Sequence, residues 1–223
     1  MKIDRQCAVS ACQTPATGFS TLCERHKRNQ RRHGDPQQEG VTVHELNPYR
    51  LRVVARQAKN PDSPAWPLLA ERWEALVKSA SGTVSASLKG MAQVSFVVKA
   101  AEQVQLIDTA VQPKEVIETV LAMFLLREGR PGRFRSDKAF SFELARRVRG
   151  LTDSNAGTYW DAQSGKIKRV YRDLTPRAME VLAGQLAGAF GGVGLFMAGL
   201  ERAEVEQAQT ERRNLSKALG ELK

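Results

Sequence analysis

The amino-acid sequence predicts a mostly α-helical protein, with a small cysteine-bearing module at the N-terminus followed by an α-helical domain that carries a short β-hairpin. Three observations support that expectation. All three cysteines fall between residues 7 and 23. From Ser63 onward, apolar side chains recur at the three- and four-residue spacing of amphipathic helices. One stretch, near residues 158–171, changes to strand-like segments around a Gly-containing turn. A chain of 223 residues is long enough to bury a core. The sequence divides into a module at 1–36, a linker at 37–63, a helical domain at 64–200 and an amphipathic C-terminal helix at 201–223.

Charge narrows the class of partner. Lysine and arginine number 34 against 24 aspartates and glutamates, a formal net charge of +10 that favours polyanions, nucleic acid first among them. Residues 1–60 hold eleven basic and five acidic side chains, so over half the excess lies in about a quarter of the chain. No apolar signal segment follows Met1, and the expectation is a cytoplasmic protein. An odd number of cysteines in a reducing compartment argues against a disulfide framework.

Adding His26 gives the cluster a chemical reason. Cys7-x4-Cys12-x10-Cys23-x2-His26 supplies three thiolates and one imidazole, the ligand number and type of a closed tetrahedral zinc site. A turn over Ala8–Ala11 serves the first pair. The first turn of a helix places Cys23 and His26 on one face, with His33 as the alternative fourth ligand. Gln13–Leu22 reads as a loop or short hairpin that returns the chain to the metal. A segment this short and polar needs the metal to fold.

The run Cys23-Glu24-Arg25-His26-Lys27-Arg28-Asn29-Gln30-Arg31-Arg32-His33-Gly34-Asp35-Pro36 resembles the "C-x-x-H, basic helix, R-x-G-D-P" signature of small zinc modules in phage and mobile-element proteins, often HNH-type homing endonucleases. The resemblance covers about one-sixth of the chain. It implies zinc ligation by Cys7, Cys12, Cys23 and His26, and a DNA-directed role for the helix after them. Lys27 and Gln30 stand where that pattern has Tyr and Trp. The nuclease half has no counterpart, because an HNH metal site needs two histidines and an asparagine, and after His33 the sequence has only His44. Between Glu24 and His33, Arg25, Lys27, Arg28, Arg31 and Arg32 face a single acid. A helix carrying them is solvent-exposed and suited to phosphate contacts.

In the linker, Val41–Val43 and Leu51–Val54 suit a short strand or helix. Ser63-Pro64 then opens a helix through Trp66, Leu69, Trp73, Leu76 and Val77, with the tryptophans as core anchors and Ser79–Gly82 as its end. From Ser87, the positions Met91, Val94, Val98, Ala101, Val104 and Ile107 describe a long helix. Pro113 opens the next, with Val116, Val120, Leu121 and Phe124 on its face. After the break at Glu128–Gly132, a helix over Ser136–Leu151 buries Phe140, Phe142, Leu144 and Val148 and ends in Arg146, Arg147 and Arg149. Together with Arg127, Arg130, Arg133, Arg135 and Lys138, those three arginines form a second basic concentration.

Thr158–Trp160, the turn Asp161–Gly165 and Lys166–Tyr171 make the hairpin, whose Lys166, Lys168 and Arg169 are further candidate nucleic-acid contacts. Two helices followed by a basic hairpin resemble a winged helix-turn-helix. Ala183–Leu200, with Gly184-x3-Gly188, reads as a buried or self-associating helix rather than a membrane span. The tail positions Val205, Ala208, Arg212, Leu215, Leu219 and Leu222 form an imperfect heptad stripe, for homo-oligomerisation, a protein partner or docking within the chain.

No nucleophile elbow, phosphate loop or second metal constellation is present, so the expectation is a binding protein rather than an enzyme. The sequence reading is a zinc-dependent nucleic-acid-binding protein, DNA first, serving a phage or mobile element as an accessory or regulatory factor. A protein-interaction adaptor with a structural zinc module is the alternative, and a divergent nuclease subunit the weaker one.

Overall fold

Between Val116 and Leu126 the chain offers apolar side chains in every direction, and a helix of that composition has to be surrounded. In the computed structural model, which describes residues 5–153 and 156–221, this is what happens. Helix α5 (Pro113–Gly129) has all eleven of those residues buried, including Glu118 and Thr119. The expected face of Val116, Val120, Leu121 and Phe124 is therefore only part of its contact surface. Glu118 avoids isolation by accepting from Arg50 Nε at 3.0 Å.

Six more helices lie among the described residues. They are α1 (Glu24–His33), α2 (Val43–Lys59), α3 (Ala65–Leu88), α4 (Ser95–Ala110), α6 (Asp137–Arg149) and α7 (Pro176–Glu221). Helix α5 packs chiefly on α7 and α2 and also touches α3 and α6, while α3 lies along α4. The mostly α fold, with an N-terminal Cys/His module and one hairpin, is as the sequence predicts.

Several segments differ from the sequence reading. The segment read as a linker holds the 17-residue helix α2, with Leu46 and Val53 buried in the core. Its start is a Thr-x-x-Glu pattern in which the Thr42 hydroxyl accepts from the Glu45 backbone N–H at 3.0 Å. Helix α3 does not stop at Ser79–Gly82. Ala80 is buried there, and Gln105 of α4 donates to Ser81 Oγ at 3.2 Å, so tertiary packing outweighs the weak local propensity. The helix ends at Leu88, and Gly90 just beyond it takes a left-handed φ of 76°. Met91 and Val94 consequently lie in an exposed connection before α4. Trp73 is a core anchor, fully buried with its indole N–H donating to Asp108 at 2.8 Å. Trp66 is half-buried, and its N–H donates to the Asn60 carbonyl.

Strands β1 (Ala156–Asp161) and β2 (Lys166–Tyr171) pair antiparallel, with Trp160 opposite Ile167. Asp161 shapes the turn by accepting from the Gln163 N–H at 3.3 Å and the Ser164 hydroxyl at 2.6 Å. Gly165 closes it with φ of 59°. The adjoining helix α6 has eight buried residues, Arg149 among them, and lies against α1, α5 and α7.

Helix α7 joins the Ala183–Leu200 stretch and the tail in one uninterrupted 46-residue element. By length and composition it is able to cross a membrane; its most apolar 18-residue window has mean hydropathy 1.6 and is 44% buried. Gly184 and Gly188, the sequence's candidates for close approach, have nothing within 4 Å of an added Cβ. The close approach occurs at Gly191 and Gly194, against the ring of Phe124. A Cβ at Gly194 would stand 2.6 Å from Phe124 Cδ2. Changing Gly194 to Ala should therefore destabilise the fold by about 1–3 kcal/mol, the usual penalty for overpacking. Gly188→Ala should leave stability unchanged or raise it by up to about 1 kcal/mol. Urea unfolding of both variants measures the contrast.

Glu45 of α2 accepts two hydrogen bonds from Arg133, at 2.5 and 2.9 Å. Arg133 holds the Glu45 carboxyl below its ordinary value of 4.5. The stability this adds is complete above that value and is lost as pH falls through the lower value in the folded protein. Glu45→Gln should lower stability at neutral pH and flatten its acid dependence, as unfolding midpoints taken from neutral to about pH 3 will show.

Candidate metal centre

The first eighteen described residues fold back on themselves through a few backbone hydrogen bonds. Ala16 donates to Arg5 at 2.7 Å, Cys7 to Thr14 at 3.1 Å and Ala8 to Thr21 at 2.8 Å. The turn after Cys7 closes with Cys12 N–H on the Val9 carbonyl at 3.0 Å, and Ala11 takes φ of 61° to make it. Cys23 stands at the N-cap of α1 and His26 in its first turn. The loop and the helix therefore each present two ligands from a locally fixed backbone, as the spacing predicts.

These four side chains converge. Their ligand atoms all lie within 4.8 Å of one another. His26 Nδ1 is 3.2 Å from Cys7 Sγ and 3.4 Å from Cys23 Sγ, and Cys12 Sγ is 3.9 Å from Cys23 Sγ. A tetrahedral ion with bonds of about 2.3 Å to sulfur and about 2.0 Å to nitrogen has S···S edges near 3.8 Å and S···N edges near 3.5 Å. The donor set and its spacing fit such an ion. Cys7, Cys23 and His26 are buried and Cys12 is partly exposed, a closed arrangement of the structural kind.

The electrostatics also call for a cation. Hydrogen bonds from the Thr14 backbone and hydroxyl hold the Cys12 thiol below its ordinary value. At Cys23 the His26 backbone favours the thiolate, but burial and the neighbouring Cys7 and Cys12 sulfurs outweigh it and push the thiol up. Sulfurs this close disfavour one another's ionisation, and a divalent ion removes that opposition. Apolar burial contributes little here: among the described residues of the module the one buried hydrophobic side chain besides Cys7 and Cys23 is Leu22, with Val9 and Cys12 packed beside it.

Residues 33–38, at and just beyond the C-terminal end of α1, fasten the module to the helical body. Gly34 ends the helix with φ of 77°, and a Cβ there would stand 2.9 Å from the Lys138 carbonyl oxygen and 3.1 Å from the Phe142 ring. His33 is not in the ligand cluster. Its Nδ1 lies 2.5 Å from Glu143 of α6, whose other oxygen accepts from the Val41 N–H at 2.6 Å. Asn29 donates to the Pro36 carbonyl at 3.2 Å, and the Asp35 carboxylate caps the Gln37 N–H at 2.8 Å. The Gly-Asp-Pro signature thus makes a turn and a docking contact.

The candidate cations fall into two groups. Arg25, Lys27, Arg28 and Arg31 are exposed on α1, and among the described residues none of them pairs with a carboxylate. Arg32 is half-buried and bonded to Asp173 at 2.8 Å. The second basic concentration is largely neutralised within the fold. Arg127 pairs with Asp137, Arg130 and Arg133 with Glu45, and Lys138 with Glu180. Arg146 faces Asp173 and Glu143. Arg149 is buried, which pulls its guanidinium below the ordinary value; it donates to Gln103 at 2.8 Å and to the Arg172 carbonyl at 2.7 Å. Arg147 is half-buried and Lys166 exposed. The side chains of Lys168 and Arg169 lie outside the described residues. Asp173, Glu143 and Gln103 were not singled out by the sequence reading, since isolated polar residues carry no local pattern.

Compared with protein-family models, curated proteins and solved structures, the chain matches none.

Removing the metal should unfold the loop before α1 while the body persists. A strong chelator, or Cys23→Ser, should collapse the amide dispersion of residues 5–33 in a nitrogen-correlated NMR spectrum. The Phe124, Trp73 and Phe190 core signals should stay in place.

Proposed function

We propose that this chain is a zinc-dependent nucleic-acid-binding protein, with DNA its first-choice ligand, and that α1 makes the primary contact. The carrying observation is the exposed face formed by Arg25, Lys27, Arg28 and Arg31, which has no carboxylate partner among the described residues. Elsewhere in the fold comparable clusters of arginine are paired internally. Three thiolates and an imidazole favour zinc among the abundant ions. In this reading zinc fixes the first turn of α1, and the C-terminal fastening through Gly34 and His33 fixes its other end.

A detail at His26 supports a phosphate ligand. With a metal on Nδ1, the neutral ring carries its proton on Nε2, and Arg25 Nη2 lies 3.2 Å from that atom. Two donors then lie side by side, and a phosphate oxygen placed to accept from both would satisfy them. Lys166, exposed on the hairpin, is a further proposed contact, as are Lys168 and Arg169 from the sequence alone, while Arg146 and Arg149 serve the fold. The resemblance of residues 23–36 to phage and mobile-element zinc modules points to an accessory or regulatory role there, without catalysis by this chain.

The test is fluorescence anisotropy of the full chain on duplex DNA and single-stranded RNA at several salt concentrations. Binding should weaken steeply with salt. Arg28→Ala with Arg31→Ala should reduce affinity and lower the slope on duplex DNA by about 0.9 for each phosphate no longer neutralised. Absence of binding to either polymer by the zinc-loaded protein would overturn the reading and leave the adaptor alternative.

A further inference from the structure

Where α6 ends against the connection from β2 to α7, the surface forms a concave pocket of about 180 Å³. Among the described residues Arg146, Arg147, Arg149 and Arg172 line it, and Asp173 is the one acid that does. Asp173 also ties α1 to this corner. One of its oxygens accepts from Arg32 Nε at 2.8 Å and the other from Arg146 Nη1 at 3.4 Å. The bridge is open to solvent, since the side chains of Arg146 and Asp173 are 28% and 29% exposed. Val43, the first residue of α2, lines the pocket as well, so the positive end of that helix adjoins it.

One donor at this corner is left over. Arg146 Nε is buried without a hydrogen-bond partner among the described residues and stands 3.6 Å from Glu143. Burial pulls the Arg149 guanidinium below its ordinary value; Asp173 opposes that, and the Arg146 charge adds to it. An anion in the pocket would relieve the repulsion between these guanidiniums. Asp173 supplies a single charge and two oxygens. A phosphate group at least matches that charge, offers more oxygens and suits the guanidinium fork. We propose that the pocket is a phosphate-binding site, in which the phosphate takes Arg32 and Arg146 from Asp173 and is held with Arg172. The site does not depend on nucleic-acid binding by α1, because the same chemistry accepts a free phosphate or one in a nucleic-acid backbone.

Nitrogen-correlated NMR of the full zinc-loaded chain tests it through the side-chain Nε–H signals of Arg146 and Arg149. Inorganic phosphate and, separately, duplex DNA are titrated at constant ionic strength. Saturable shifts with inorganic phosphate assign a free-anion site, and shifts with duplex DNA alone assign the phosphate to the nucleic-acid backbone. With the probe that shifts the signals, D173N should bind about fivefold tighter, the worth of a partly exposed ion pair that no longer competes. R172A should weaken binding, whereas K217A, the same charge change on the exposed tail of α7, should not. No shift with either probe, D173N no tighter than the wild type, or equal effects of R172A and K217A would each overturn the proposal.

Discussion

Three sulfurs and one ring nitrogen converge on a point in a segment with little other interior among the described residues. Around Cys7, Cys12, Cys23 and His26 almost no apolar side chain is buried among the described residues, so a metal ion bound there would supply the free energy that offsets the conformational entropy of ordering the segment. A metal bound there would fix one end of α1, because Cys23 is its N-cap and His26 lies in its first turn. At the other end it depends on a left-handed glycine and on His33 against Glu143. A helix this polar, with only His26 buried, has no hydrophobic face to fix its orientation, and the two anchors take over that task.

The rest of the fold obeys a different constraint. Helix α5 is enclosed by its neighbours, and α7 approaches it closely because Gly191 and Gly194 leave room for Phe124. Three polar side chains taken into this body are satisfied individually: Trp73 by Asp108, Glu118 by Arg50, and Arg149 by Gln103 and a backbone carbonyl. The basic residues around α6 belong to this internal accounting, which separates them physically from the cations of α1. Local charge density in the sequence is similar for both. Burial and pairing distinguish them.

Much of this was legible in advance, for reasons that differ by element. The metal cluster was readable because ligand type and spacing are local properties, and α6 because Ser136 caps it and its apolar positions repeat. Helix α2 was missed because Pro48 and several arginines mask its period, although Thr42-x-x-Glu45 marks its start. The end of α3 was misplaced because Ser79–Gly82 is weak locally and is held by α4, a contact invisible to any window. Gly184 and Gly188 have the motif spacing, but which glycines meet a ring depends on the rotation of α7 about its axis. The pairing of Arg32 and Arg146 with Asp173 spans up to 141 residues, beyond any local pattern.

The central claim is that these four side chains hold one zinc ion, and X-ray absorption at the zinc edge on the purified chain tests it most directly. The account predicts one zinc per chain with three sulfurs at about 2.3 Å and one nitrogen at about 2.0 Å. A shell of oxygen and nitrogen alone, or protein that folds its first thirty residues without bound metal, would contradict it.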